Sequence, residues 1–509
     1  MNIGRAAVAR RVFLVIAVAI KLAAPAQAAE PAIAMDHHAV STEIPGAQQA
    51  FDEGMMLRYA FNDPAAVAAF ERAAQLDPHL AMAYWGIALS NGVDINTPPS
   101  DPREAAAAKA IGQAQALLQY ASPAERDYIQ ALALRCSEYP KADRAALGAK
   151  YHDAMRALAA RYPEDPDAGT LFAESALDVQ WAYRDPAMDG MLMPNEDEIK
   201  DPEIVPALRL VLLRSPAHLG ANHLLIHALD FRKTAAQALP SADLLAAQSY
   251  APAASHLAHM ASHIYFRVGR YAAAVKANQA ALALDQRYFA TTPETDNPAA
   301  YRYHRHNASY LAFAAMTIGD WQSAQSAAKE LPTTSMPLIV LARFERWPAI
   351  LAAAPPHATK PAGQPTLDQT YHMARGLAFA AQHRLAAAEA ERAELVRLVA
   401  AIPAAETETA AVGALRVAYL DSQLEVSQGR YDSAVATLQA AIPIEDSITH
   451  GELLPFFLPL REALGRTLLA AGDPAEAATA FRDDLSRTLN NPRSQAGLAK
   501  ALAAQLSRI

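Results

Sequence analysis

Apolar residues recur every three or four positions along most of the chain, the period of helices that bury one face. No two-residue alternation competes with it, so strands are not expected. The helical runs come in pairs. In "AFDEGMMLRYAFNDPAAVAAFERAAQLDP" (50–78) two runs meet at a short polar turn, with Gly54, Ala66, Phe70 and Ala73 on the apolar faces and Pro78 at the end. "AMAYWGIAL" then restarts the pattern at Gly86. The pattern returns with Tyr265, Gly269, Tyr271, Ala274 and Ala281, with Gly319, Trp321 and Ala324, with Gly429, Tyr431 and Ala434, and with Gly465, Gly472, Ala477 and Phe481. Small residues let paired helices approach, and large ones fill the gap on the next pair.

This spacing resembles the tetratricopeptide repeat (TPR). The expected fold is all-α, a right-handed solenoid of helix-turn-helix (TPR-like) repeats with roughly nine or ten hairpins. The breaks set the expected organisation. Residues 1–28 read as a signal peptide: Arg5, Arg10 and Arg11 precede the apolar "VFLVIAVAI", and "AQA" (26–28) offers a cleavage site. Residues 29–48, with His37 and His38, read as a mobile N-terminal tail. A TPR-like array with a histidine-lined groove is expected over 49–351, a linker over 352–369 and a plainer TPR-like array over 370–509. Pro-rich stretches at 183–203 and 290–301 read as loops.

Composition narrows the class. The formal charge of −9, about −13 once the four cations of the leader are removed, offers no electrostatic attraction for nucleic acid. The leader's apolar run is too short for a permanent anchor, so no integral membrane segment is expected after its removal, and the location is expected to be periplasmic or secreted. The single Cys136 excludes an intramolecular disulfide. No nucleophile elbow, P-loop, G-x-G-x-x-G, C-x-x-C or H-E-x-x-H motif occurs, and "SAAK" (326–329) has no supporting motif, so the catalytic residues are unknown and an enzyme is the less favoured reading.

The candidate chemistry lies in the histidines. "NHLLIHALD" carries His223 and His227, "HLAHMASHIYFRVGRY" carries His256, His259 and His263, and "YRYHRHN" carries His304 and His306. At about 100° per residue, His256, His259, His263 and Arg267 share one helix face within about 80°. Nearly 10.5 Å of rise separates His256 from His263, too far for all three to share one ion comfortably. His259 and His263, one turn apart, can share one, with a third imidazole from His306 or His227. Imidazole ligands without thiolate suit a divalent transition metal such as zinc or copper. The metal candidates are therefore His223, His227, His256, His259, His263 and His306. Arg267, Tyr303 and Asn307 are the candidate ligand contacts, Arg267 as a clamp for a carboxylate or as a salt bridge between repeats. Three readings compete at this stage: a metal site, a metal-free ligand groove and a structural polar network. His304 is expected to face away, and Glu174 and Asp178, one turn apart, are weaker groove candidates.

The TPR resemblance implies that His256, His259, His263, Arg267 and His306 hold the positions that line the concave groove, with His223 and His227 beside them. "AYWGIAL", "ANHLLIHALD", "HLAHMASHIYFRVGRY", "YHRHN" and "LGRTLLAAG…FRDDL" further resemble a family of exported bacterial TPR proteins, in which proline usually stands at the position of Ala261. The resemblance implies a fold and no assigned activity. The expectation is an exported binding or scaffold protein whose groove holds a metal, a protein segment or a peptide-like ligand. The alternative is a metal-dependent enzyme using zinc, copper or iron on the same histidines.

Overall fold

The computed structural model describes residues 33–97, 99–136, 143–181, 202–356, 365–448 and 458–507. The expected signal peptide, most of the loop at 183–203 and the centre of the expected linker lie outside these residues. Among the described residues there are 23 α-helices and no strand, only an isolated bridge between Asp94 and Thr97. The helices pack as eleven successive antiparallel pairs and a closing helix, Pro492–Leu506, one or two more hairpins than the sequence suggests. The extra pairs are short and irregular, such as Met336–Arg343 with Trp347–Ala352. No described helix is long and apolar enough to cross a membrane.

The TPR-like small-to-large interlock is visible in the first repeats. Phe70 is fully buried between the helices Pro45–Tyr59 and Ala81–Ser90. A Cβ at Gly54 would come within 2.6 Å of its ring, and one at Gly86 within 2.5 Å. Only glycine lets both helices lie this close. Gly269 closes the turn after the histidine helix at φ +74°, and the carbonyl of Leu489 approaches it so closely that a Cβ would sit 2.4 Å away. The C-terminal part of the chain therefore touches the histidine hairpin.

One large hydrophobic cluster runs from Ala47 to Val340 and a second from Leu338 to Ala501. The change of core falls within the helix Met336–Arg343, before the expected linker.

Two features differ from the sequence expectation. The groove is closed at the histidines: the first helix, Pro45–Tyr59, packs against the helix Leu219–Leu229 and the turn Pro252–Ala254, so the inner face there is interior. The supposed tail is also held in place from residue 34. The Ala34 amide bonds to the Ser249 carbonyl at 2.8 Å, His38 bonds to Asp167, and Ser41 bonds to Glu125. Helix formation begins at Pro45, inside the expected tail. The sequence reading missed this because each tie is a polar contact with a residue more than 80 positions away.

Candidate metal centre

Three helices, each the first of its hairpin, carry the histidines: Leu219–Leu229, Ser255–Arg267 and Pro298–Ile318. His223, His227, His256, His259 and His263 are each at most 3% exposed, and His306 is partly exposed. They divide into two triads, His223–His227–His256 and His259–His263–His306, within each of which one ligand atom per residue lies within 4.8 Å of the others. This changes the sequence-based grouping. His256 leaves the other two histidines of its own helix and joins His223 and His227, while His306 completes the pair His259–His263. The triads touch: the His256 ring lies 5.8 Å from His259, and the His227 ring 6.1 Å from His263.

Partners on the far side of three rings fix which nitrogen faces inward. His223 donates from Nδ1 to the Tyr59 carbonyl at 2.6 Å, since a carbonyl can only accept. The Asn278 amide group is committed to the Ala274 carbonyl at 2.8 Å, so its Oδ1 must accept the Nδ1–H of His259 at 2.6 Å. His263 donates from Nδ1 to Asp230 at 3.0 Å. Each of these rings therefore turns Nε2 inward, where it meets the Nε2 of a neighbouring imidazole. In the second triad, the Nε2 atoms of His259 and His263 stand 2.9 Å apart. In the first, those of His223 and His227 stand 3.0 Å apart. Two nitrogens at about 2.0–2.1 Å from one ion are separated by about 2.9 Å at a right angle and about 3.3 Å in a tetrahedron. The observed pairs match such edges.

Other nitrogens in the first triad lack partners altogether. Neither nitrogen of His256 and not Nδ1 of His227 has a hydrogen-bond partner, although all are buried. An unpaired buried polar atom costs about 1–3 kcal/mol, so a cluster of them in one place points to a ligand. Burial, followed by neighbouring histidines, holds these rings uncharged: His223 is pushed down to about 3, and His227, His256 and His259 lie well below the ordinary histidine value. His306 is likewise pushed down to about 3, by burial and then by His263 and Arg302. Rings in this state can take a cation without first losing a proton.

Aromatic side chains wall the centre. Phe61 lies 4.5 Å from His223, 5.8 Å from His227 and 5.6 Å from His256. It does so from a left-handed backbone, φ +54°, where the other hairpin turns commonly use glycine. A bulky residue there stores about 1–3 kcal/mol of strain. The strain is held by the next residue, since Asn62 donates to the Ala253 carbonyl at 2.8 Å and accepts from Asn297 at 2.7 Å. Tyr303 packs on His256 at 4.4 Å, and Tyr310 packs on His259, His263 and His306 at 4.7–5.1 Å.

The other candidates fall outside the triads. Arg267 is a salt bridge, not a free clamp: its Nε bonds to Asp230 at 3.0 Å, so it anchors the carboxylate that orients His263. Asn307 is fully buried and donates to Asp285 at 3.1 Å. His304 faces away, between Asp285 and Glu330. Glu174 and Asp178 lie beside buried arginines, Glu174 at 2.7 Å from Arg58 and Asp178 at 3.9 Å from Arg135.

A further group, His38 with Asp165 and Asp167, is already saturated. Asp167 accepts from His38 at 2.7 Å, from His218 at 3.2 Å and from the Tyr59 hydroxyl. Tyr59 thus ties this clamp to the centre, since its carbonyl holds His223.

Sequence reasoning missed Phe61, Tyr59, Asp230, Asn278 and Tyr310. Tyr310 stands one helical turn after His306, and Asp230 three residues after His227, so the periodicity carried a signal for both. Phe61 sits at the turn position where a glycine is expected. Asn278 and Tyr59 had no local signal.

No family model and no curated protein matches the chain. Solved structures similar to it include a human IFIT1 dimer with PPP-AAAA (TM-score 0.30, 14% identity, covering 90% of this chain and 96% of that one). The APC/C hetero-tetramer Cut9–Hcn1 is another (0.28, 12%, 91% and 96%), as is yeast Tom70 (0.27, 11%, 87% and 85%). At these values the likenesses carry nothing about function. What defines this chain is a TPR-like helical solenoid with two adjacent histidine triads, five of whose six rings are buried.

Proposed function

We propose that the protein is a metalloprotein that holds two transition-metal ions, zinc or copper, one in each histidine triad. One observation carries the reading. The Nε2 atoms of His259 and His263 face each other at 2.9 Å while both Nδ1 atoms are engaged as donors to Asn278 and Asp230. At that distance the two nitrogens need a positive centre between or beside them, and the proposal assigns that place to a metal ion rather than to a proton on His263. Three neutral nitrogens per ion leave a coordination position open, as in sites that bind a further small ligand.

A peptide-like ligand fits this interior poorly, because five of the six histidines are closed off from solvent. Protein partners, which repeat arrays accommodate on extended surfaces, would engage the outer faces. Export to the periplasm remains part of the proposal and rests on the leader sequence.

Elemental analysis of the purified full chain, handled without chelators, tests the reading. The expected result is about two equivalents of metal in the wild type. His259→Ala/His263→Ala should lose one of them. A wild type without stoichiometric metal, or a variant that binds as much as the wild type, overturns it. A metal-free protein whose His263 titrates as an imidazolium against Asp230 would show that a proton fills the gap instead.

A further inference from the structure

Resting on the two-ion reading, we propose that the ions are copper and that the paired centre binds dioxygen between them. Three observations converge: ligand charge, enclosure and adjacency.

Neither triad contains a carboxylate or thiolate. The nearest acid, Asp230, is already matched by Arg267 at 3.0 Å. Two divalent ions would bring four uncompensated charges into a site whose residues are almost wholly buried, and desolvation cost rises steeply with charge. Two Cu(I) ions bring two. Imidazole is a borderline donor that suits copper among other metals, and three uncharged imidazoles satisfy Cu(I), which accepts low coordination numbers.

The enclosure restricts the ligand. Five of the six histidines are at most 3% exposed, and Phe61, Tyr303 and Tyr310 cover the rings. Such enclosure keeps out an organic substrate or a peptide, so the ligand proposed is a small uncharged molecule. The triads are also adjacent, with ring contacts at 5.8 and 6.1 Å linking them, and the proposed diatomic ligand bridges the two ions across that boundary.

The electron balance closes within the centre. Each Cu(I) gives one electron, two in total. Dioxygen accepts both and becomes peroxide, and both coppers become Cu(II). The O–O bond order falls from two to one, and no proton or outside reductant is consumed. The summed charge of metals and ligand is +2 before and +2 after, so the buried site takes up no net charge.

The experiment uses the full chain, loaded anaerobically with Cu(I) against a Cu(I) chelator and then exposed to air. The expected result is two Cu(I) per chain, followed by uptake of one O2 per copper pair. A near-ultraviolet charge-transfer band should appear, with no electron paramagnetic resonance signal because the two Cu(II) spins couple. Flushing with argon should reverse the change. His223→Ala/His256→Ala, checked for helical content by circular dichroism, should bind one copper and lose the band. Two bound Cu(I) with no O2 uptake, or with resonance from isolated Cu(II), overturns the dioxygen inference and leaves the two-ion reading standing. Failure to bind copper at all overturns copper as the metal, and the metal content of the chelator-free protein then decides the two-ion reading.

Discussion

His259 and His263 point Nε2 at Nε2 across 2.9 Å, each held from behind, one by Asn278 and the other by Asp230. One helical turn brings the rings together, but the partners decide what they present. Without them either ring could flip its tautomer and make an ordinary hydrogen bond to the other.

Asp230→Asn therefore tests the support. The neutral amide no longer enforces Nδ1–H on His263 and no longer matches Arg267. Metal affinity should fall about 10–100-fold, as for other residues that orient metal-bound histidines. Competition titration against a chelator measures it. Unchanged affinity would remove Asp230 from the centre's design.

Phe61 inverts a usual ranking. At φ +54° alanine keeps the backbone strain and loses the ring, whereas glycine relieves the strain and loses the ring. Both variants should be destabilised by about 3 kcal/mol or more. Phe61→Gly should be the milder by about 1 kcal/mol, because glycine adopts the left-handed region freely. Denaturant unfolding of the two variants decides this, and an alanine variant as stable as the glycine one would contradict the strain.

Glycines at helix contacts separate packing from propensity. Gly86→Ala would drive a Cβ to 2.5 Å from the Phe70 ring and should cost about 1–3 kcal/mol. Gly112, in the helix Asp101–Ala116, has nothing within 4 Å of a Cβ, so Gly112→Ala should stabilise by about 0.5–1 kcal/mol. Thermal melts of both variants should shift in opposite directions.

The clamp on Asp167 sets a pH dependence. Burial lowers His38, but the hydrogen bond and charge of Asp167 outweigh it and raise the group to about 9. Burial lowers His218 too, and the same carboxylate, with Asp36, outweighs it and raises the group. The folded chain thus keeps protons that an unfolded histidine releases near pH 6.5. The stabilisation is full below about pH 6.5 and is lost as pH rises through about 9. Urea-unfolding stability should fall across that interval by up to about 3 kcal/mol for His38. His38→Gln should flatten the fall, and a wild type of level stability would refute the linkage.

The sequence carried the periodic part of this structure and little of the rest. Gly54, Phe70, Gly269 and Gly319 mark helix contacts and turns because each repeat packs mainly on its neighbours, so local spacing records the fold. The histidine faces were legible for the same reason, from helical angle alone. The division into triads was not, because it depends on how far one helix is offset against the next, and that offset leaves no local trace. Nor was the closure of the groove, since Phe61 meets His223 across more than 160 residues and only packing of the first hairpin against the fifth brings them together.

The most direct test of the paired centre is anomalous diffraction from crystals of the copper-loaded protein. Two peaks are predicted, one bounded by His223, His227 and His256 and the other by His259, His263 and His306, each about 2.0–2.1 Å from its nitrogens. A single peak, peaks elsewhere, or imidazole pairs without metal density would contradict the account.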